Sequence, residues 1–281
     1  MFVRQSTSSM LVLLLYVDDI ILTGSDPVEL PSFVDALSSR FAMKDLGDLH
    51  FFLGIEARRD SSGLFLSQTH YTATLLQRFD MLGANSDSTP MASTPQPSLH
   101  HGDLLPDPAE YRSMVGALQY LTMTRPDIAY SVTGCPDSRR STSGYALFLG
   151  SNVVTWSAKK QPTVSRSSAE SEYRSVAYVV AESYWLRQLL RDLGVFLHRP
   201  VIVYCDNVSA TYLAANLVFH ARTKHIEIDF HFVRENVASG DIVVRYVSTS
   251  DQLADIFTKG LSRLKFHQLK ANLSVVSPHS D

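Results

Sequence analysis

The chain has 281 residues, 45% of them hydrophobic, and 25 Lys and Arg against 28 Asp and Glu give it a formal net charge of −3. It is long enough to bury a sizeable core, in two domains, and too neutral to grip nucleic acid by bulk charge, although a local basic face stays compatible with these numbers. Its two cysteines, Cys135 and Cys205, form no CxxC pair and no disulfide framework, which suits a reducing compartment.

Residues 11–15 and 20–22 are apolar runs that predict two buried strands joined by a tight turn at Asp18-Asp19. The apolar stretch over 10–17 resembles a signal-peptide core, but the aspartates interrupt it and no small-residue cleavage site follows. An intracellular protein of the cytoplasm or nucleus is therefore expected, without a secretion signal. No run approaches the ~20 apolar residues of a membrane span. Leu30, Phe33, Val34, Leu37 and Phe41 recur at helical spacing and predict a helix over 27–41. A hairpin follows, with strands at 50–58 and 64–67 around Asp60-Ser61-Ser62-Gly63. Residues 68–82 predict a helix stopped by Gly83.

Residues 85–108 are rich in Ser, Pro and Asp and predict a linker. A short helix at 111–123 is broken by Thr124-Arg125-Pro126-Asp127. The second half predicts a hairpin at 145–149 and 153–156, then a long helix over 168–193 closed by Gly194. That helix is expected to bury Tyr173, Val176, Ala177, Val180, Tyr184 and Leu190. A buried strand at 201–205, helices at 209–215 and 224–237, a strand at 242–247 and a final helix opening at 251–257 complete a mixed α/β domain.

Several carboxylates stand at ends of strands and starts of helices. Asp18-Asp19 alone is also a good turn pair. Ser167-x-x-Glu170 fits a capping box, which accounts for Glu170 and leaves Glu172, on another face, unexplained. Asp206 ends the 201–205 strand, where it either emerges beside a sheet or caps the next helix. Asp255 lies in the first turns of a helix, where it also complements the dipole; Asp251 is read as a cap. Such carboxylates suit phosphoryl transfer on nucleic acids, in which two divalent ions ~4 Å apart serve the attacking and leaving oxygens. Magnesium favours hard oxygen ligands and keeps several waters, so few carboxylates suffice. His220, His225 and His231 lack zinc-site spacing and are read as exposed or hydrogen-bonding. Lys159-Lys160, Arg139-Arg140 and Arg166, near Trp156, form the most basic stretch. It suits contact with a nucleic-acid backbone, or is a solvated charged face.

Tyr16-Val17-Asp18-Asp19 with Ile20-Ile21-Leu22-Thr23-Gly24, continuing through Leu46-Gly47-Asp48-Leu49, resembles the palm hairpin of reverse transcriptases, and the whole stretch resembles that of copia-type retrotransposon Pol polyproteins. The strings Gly134-Cys135-Pro136-Asp137, Trp156-Ser157-Ala158-Lys159-Lys160-Gln161 and Ala254-Asp255-Ile256-Phe257-Thr258-Lys259 resemble the ribonuclease H domain of the same family. The resemblance covers residues 11–269. It implies a partial palm and thumb over 1–84, a linker and connection over 85–132, a ribonuclease H-like mixed sheet with helices over 133–270, and a disordered tail over 271–281.

It also implies catalytic and metal-binding roles for Asp18 and Asp19 in the palm, and for Glu172, Asp206 and Asp255 in the nuclease. The cofactor would be Mg²⁺, or Mn²⁺, and the substrates an RNA–DNA hybrid or a primer-template. Lys159, Lys160 and Arg166 would contact nucleic acid. Lys44 falls where the family has a lysine suggested to protonate pyrophosphate. The third palm aspartate and the fingers would precede Met1, so polymerisation is expected to be absent. The family's first nuclease aspartate lies on a central strand just before the Gly-Cys-Pro-Asp turn. Here that turn follows a connection-type segment directly, so a deletion near Val132-Thr133 is expected to remove the strand, unless residues 128–132 replace it and carry Asp127 or Asp137 toward the site. The chain then reads as a truncated, catalytically impaired Pol polyprotein. An active ribonuclease H and a non-catalytic nucleic-acid-binding protein are the alternatives.

Overall fold

The computed structural model describes residues 1–61, 63–91, 98, 102–133, 137–138, 140–215 and 227–275. Gly134-Cys135-Pro136, Arg139, His220, His225, part of the Ser/Pro-rich stretch and residues 276–281 lie outside the described residues. The chain divides into two units, Met1–Tyr71 with Leu186–Leu197, and Thr72–Trp185 with His198–Asp281. The mixture of strands and helices matches the α/β expectation.

The first unit opens with an antiparallel sheet of β1 (Phe2–Gln5), β2 (Met10–Tyr16) and β3 (Asp19–Gly24), in that order. Tyr16 pairs with Asp19, so the turn is Val17-Asp18 and not Asp18-Asp19. Val17 takes a φ of 50°, a conformation that costs a β-branched residue on the order of 1–3 kcal/mol. The strands are less buried than expected: Leu11 is buried, whereas Leu14, Leu15 and Ile20 are exposed. The helix packed on β3, α1 (Glu29–Ser38), is ten residues long and too small to cover two faces.

The strand expected over 50–58 is broken. β4 (Phe51–Phe52) turns at Leu53-Gly54 into β5 (Ile55–Asp60), which pairs with β6 (Gly63–Ser67). Leu53 and Gly54 have φ of 50° and 74°, two successive positive values that mark a type I′ hairpin turn. The helix α2 (Thr69–Arg78) stops before Gly83. Asp80, at φ 53°, donates its N–H to the Gln77 carbonyl, and Met81 donates to Leu76 at 2.8 Å. This is a Schellman closure with aspartate where glycine is usual.

In the second unit α3 (Pro108–Leu121) starts at the end of the expected linker, where the Asp107 carboxylate accepts the Ala109 N–H at 2.8 Å and Pro108 opens the helix. A 3₁₀ turn (Pro126–Ile128) and α4 (Ala129–Thr133) follow, so residues 128–132 are helical and do not act as a replacement strand. The buried Asp127 carboxylate accepts from Arg125 Nε at 2.8 Å and Nη2 at 2.9 Å and pairs with Lys270 at 3.3 Å, which commits it to structure. Asp137 lies in an exposed turn and accepts from Ser98.

The hairpin of β7 (Thr142–Leu149) and β8 (Asn152–Lys160) is longer than its apolar runs. The long helix α5 (Ser168–Asp192) ends in a Schellman closure at Gly194, φ 73°, as expected. It buries Tyr173, Val176, Ala177 and Val180, but Tyr184 is 62% exposed and Leu190 half-buried, because the core under the helix ends near Val180 and Ser183. Then come β9 (Val201–Cys205), α6 (Val208–Ala215), α7 (Glu227–Ala238) and β10 (Ile242–Tyr246), with β10 parallel to β9. β9 alternates: Val203 and Cys205 are buried, Ile202 and Tyr204 exposed. The expected final helix is a 3₁₀ turn (Leu253–Phe257) followed by a separate α8 (Arg263–Asn272), which runs two residues into the expected tail.

Two clusters form the core, one of α5, α6, α7, β9 and β10 around Tyr173 and Phe230, the other around Phe257, Phe266 and Leu269. Among the described residues, β7–β8 and β9–β10 are separate two-stranded sheets. No helix among the described residues is long and apolar enough to cross a membrane.

Candidate active site

Three elements of the second unit present the acidic residues. Glu172 stands in the second turn of α5, and that turn is held by a polar network. Gln161, fully buried, donates through Nε2 to Ser143 Oγ and to the Ser171 carbonyl, both at 2.9 Å, and Ser175 bonds Ser143 at 2.8 Å. Ser165 Oγ donates to Gln161 Oε1 at 2.7 Å. At the helix start, Ser167 Oγ accepts the Glu170 N–H at 3.2 Å and the Glu170 carboxylate accepts the Arg166 N–H at 2.8 Å, one residue before the position a capping box predicts. Glu170 also pairs with Arg174 at 2.8 Å, so it is structural, as its spacing indicated.

Asp206 follows β9. The cap of α6 is its neighbour: Asn207 Oδ1 accepts the Ala210 N–H at 2.9 Å. That leaves the Asp206 carboxylate free of the capping role. Asp255 lies in the 3₁₀ turn, whose own cap is Gln252, accepting the Ala254 N–H at 3.2 Å. This turn lies close against β7. A Cβ built on Gly144 would meet Phe257 Cβ at 2.9 Å and the Ala254 carbonyl at 3.1 Å, so glycine is what permits the approach.

Glu172, Cys205 and Asp206 place ligand atoms within 4.8 Å of one another, the one such group of three among the described residues. Burial raises the Glu172 pKa, Asp206 and Asp255 raise it further, and Lys259 opposes them. Burial also raises Asp255, against the pull of Lys259. All three carboxylates therefore feel one another. The Lys259 ammonium lies 2.8 Å from Asp255, and Asp206 and Glu172 also favour its charged form. Burial pushes the Cys205 thiol up to about 11, so at neutral pH and without a metal it is protonated. The carboxylates offer hard oxygens of the kind that Mg²⁺ or Mn²⁺ takes.

Neither Lys259 nor Gln161 was singled out from the sequence. Lys259 was legible as the i+4 partner of Asp255; Gln161 carried no local signal. Asp18 and Asp19 are exposed at the β2–β3 turn. Lys159 and Arg166 are exposed, and Lys160 is half-buried at the end of β8. His231 is exposed on α7.

A profile of the reverse transcriptase (RNA-dependent DNA polymerase) family matches residues 1–93. Over 98% of its length the chain is 44% identical to the retrovirus-related Pol polyprotein from transposon RE2 of Arabidopsis thaliana, of which it covers 22%. It is 31% identical over its whole length to the corresponding polyprotein from transposon TNT 1-94 of Nicotiana tabacum, covering 25% of that protein. It is 42% identical, over 62% of its length, to an uncharacterised mitochondrial protein of Arabidopsis thaliana and covers 93% of it. The chain thus spans about a quarter or less of the Pol polyproteins. The match to the RE2 polyprotein extends over 327 residues against 281 in this chain, so at least 46 positions of that relative have no counterpart here. No solved structure matches the chain.

Proposed function

This chain belongs to the Pol polyproteins of copia-type retrotransposons, and from that premise we propose that residues 133–270 form a ribonuclease H-like domain acting on RNA–DNA hybrids, with Glu172, Asp206 and Asp255 as its magnesium ligands. The observation that carries this reading is the approach of the Glu172 and Asp206 carboxylates within 4.8 Å, in electrostatic reach of Asp255. Like charges are gathered at a cost, and a site for divalent cations accounts for gathering them.

Bound there, a divalent ion would activate the attacking water and neutralise the leaving oxygen. The chain's own part is positional. The Gln161 network fixes the α5 turn that carries Glu172, β9 delivers Asp206 at its end, and the 3₁₀ turn against Gly144 delivers Asp255. Lys159 and Arg166, exposed, and Lys160 would meet the phosphate backbone of the hybrid.

The resemblance calls for a fourth carboxylate on a strand between β7 and β9. We propose that this strand is deleted near Val132-Thr133. The separation of the two sheets and the positions without counterpart support the deletion. The site is then impaired. Hybrid cleavage with Mg²⁺ is expected at least about a hundredfold below that of a four-carboxylate enzyme, since outer-shell losses alone cost 10–100-fold. Asp206→Asn should abolish what remains. Cleavage at full rate would overturn the deletion, and Mg²⁺-independent hybrid binding unchanged in Asp206→Asn would favour a non-catalytic binding protein.

Asp18 and Asp19 lie within the reverse transcriptase match, and in this reading they would be the palm carboxylates that hold metal beside a primer-template. Among the described residues they gain no third ligand. Polymerisation by this chain alone is expected to be absent, and primer extension lost in Asp18→Asn would contradict that.

A further inference from the structure

We infer that the Lys259 ammonium is the resident counter-ion of the Glu172–Asp206–Asp255 cluster, and that a divalent cation enters the site only by displacing it. The inference rests on the metal-site reading above and adds a residue to it.

The geometry places the Lys259 cation on Asp255, while Glu172 and Asp206 approach each other within 4.8 Å and lie within electrostatic reach of it. Lys259 Nζ is 2.8 Å from Asp255 Oδ1, on a side chain anchored one helical turn away. The carboxylate is nearly buried and the lysine side chain about half exposed, so the ion pair closes the solvent side of Asp255. Asp255 is not the sole anion that the ammonium answers; Asp206 and Glu172 act on it too. With the ammonium in place, part of the cluster's negative charge is already neutralised. A divalent ion therefore meets a weaker field and must break a charge-assisted hydrogen bond on entry. The same pair keeps the site assembled when the metal is absent.

The test uses the full chain and three variants, Lys259→Met, Lys259→Arg and Asp206→Asn. Mn²⁺ binding is measured by titration calorimetry, and thermal unfolding in chelator and in excess Mn²⁺. Lys259→Met is expected to bind Mn²⁺ about tenfold more tightly than the parent and to melt about 5 °C lower in chelator, with the loss recovered in Mn²⁺. Lys259→Arg keeps the charge and should behave as the parent on both readouts, whereas a merely structural role for the lysine stem would leave Lys259→Met, which keeps an apolar chain of similar length, like the parent. Equal Mn²⁺ affinity of the parent and Lys259→Met, with binding lost in Asp206→Asn, would overturn the displacement while leaving the metal site intact. Absence of Mn²⁺ binding in the parent and in Lys259→Met alike would overturn both. A Lys259→Met variant as stable as the parent in chelator would overturn the counter-ion role.

Discussion

Two residues of the second unit show how environment decides what an ionisable group does. Asp127 is buried, which opposes its ionisation, yet the guanidinium of Arg125 and the ammonium of Lys270 outweigh burial and hold its pKa below the usual carboxylate value. A carboxylate depressed in the folded state contributes stability that is present above its unfolded value, about 3.9, and is lost as pH falls through the folded value. Asp127→Asn is therefore expected to lose about 2–4 kcal/mol at pH 7 and progressively less as pH falls below about 3.9, where the parent begins to lose the same contribution; urea melts at pH 7 and along that acid range measure this. Cys205 runs the other way. With its thiol raised to about 11 and its side chain buried, it should react with iodoacetamide at pH 8 at least about tenfold more slowly than a free cysteine in a peptide. Equal rates would mean that the strand end carrying Asp206 opens readily.

At the scale of elements, the sequence was most legible where a helix was long or a cap was glycine. α5 and its Gly194 closure followed from spacing, as did β9 and β10 from their β-branched runs. The errors share a cause: turn geometry adopted by residues that do not advertise it. Val17, Leu53 and Asp80 all take positive φ without being glycine. They moved one turn, split one strand and ended one helix early. The 3₁₀ turn holding Asp255 was misread as an α-helix because four apolar residues in five fit either period. Its true constraint, Gly144, lies more than a hundred residues away. Gly144→Ala should cost about 1–3 kcal/mol through overpacking. Because the displaced element carries Asp255, it should also weaken Mn²⁺ binding, an effect that a uniform loss of stability would not give in protein still fully folded. Of the candidate site, the three carboxylates were legible singly. Their common approach and the lysine among them are tertiary facts.

At the scale of the molecule, the two-stranded sheets of the second unit leave β7 and β9 with one paired side each among the described residues. Unpaired strand edges exchange their amide hydrogens quickly and template association. Deuterium exchange is expected to show the outward-facing amides of β7 and β9 exchanging at least about tenfold faster than those bonded to β8 and β10. Uniform protection would mean that another segment covers the edges. The same topology also orders events in time. The β7–β8 hairpin closes over a two-residue turn and belongs to the microsecond class. The parallel β9–β10 pair closes only after the whole segment 206–241 has been gathered in, and such non-local pairing is slow. Asp206 sits at the edge of that late pair and Asp255 beyond it. During synthesis the hairpin can thus be settled while the acidic triad is still unmade, and its charges begin to repel only when most of the chain is already committed to its fold.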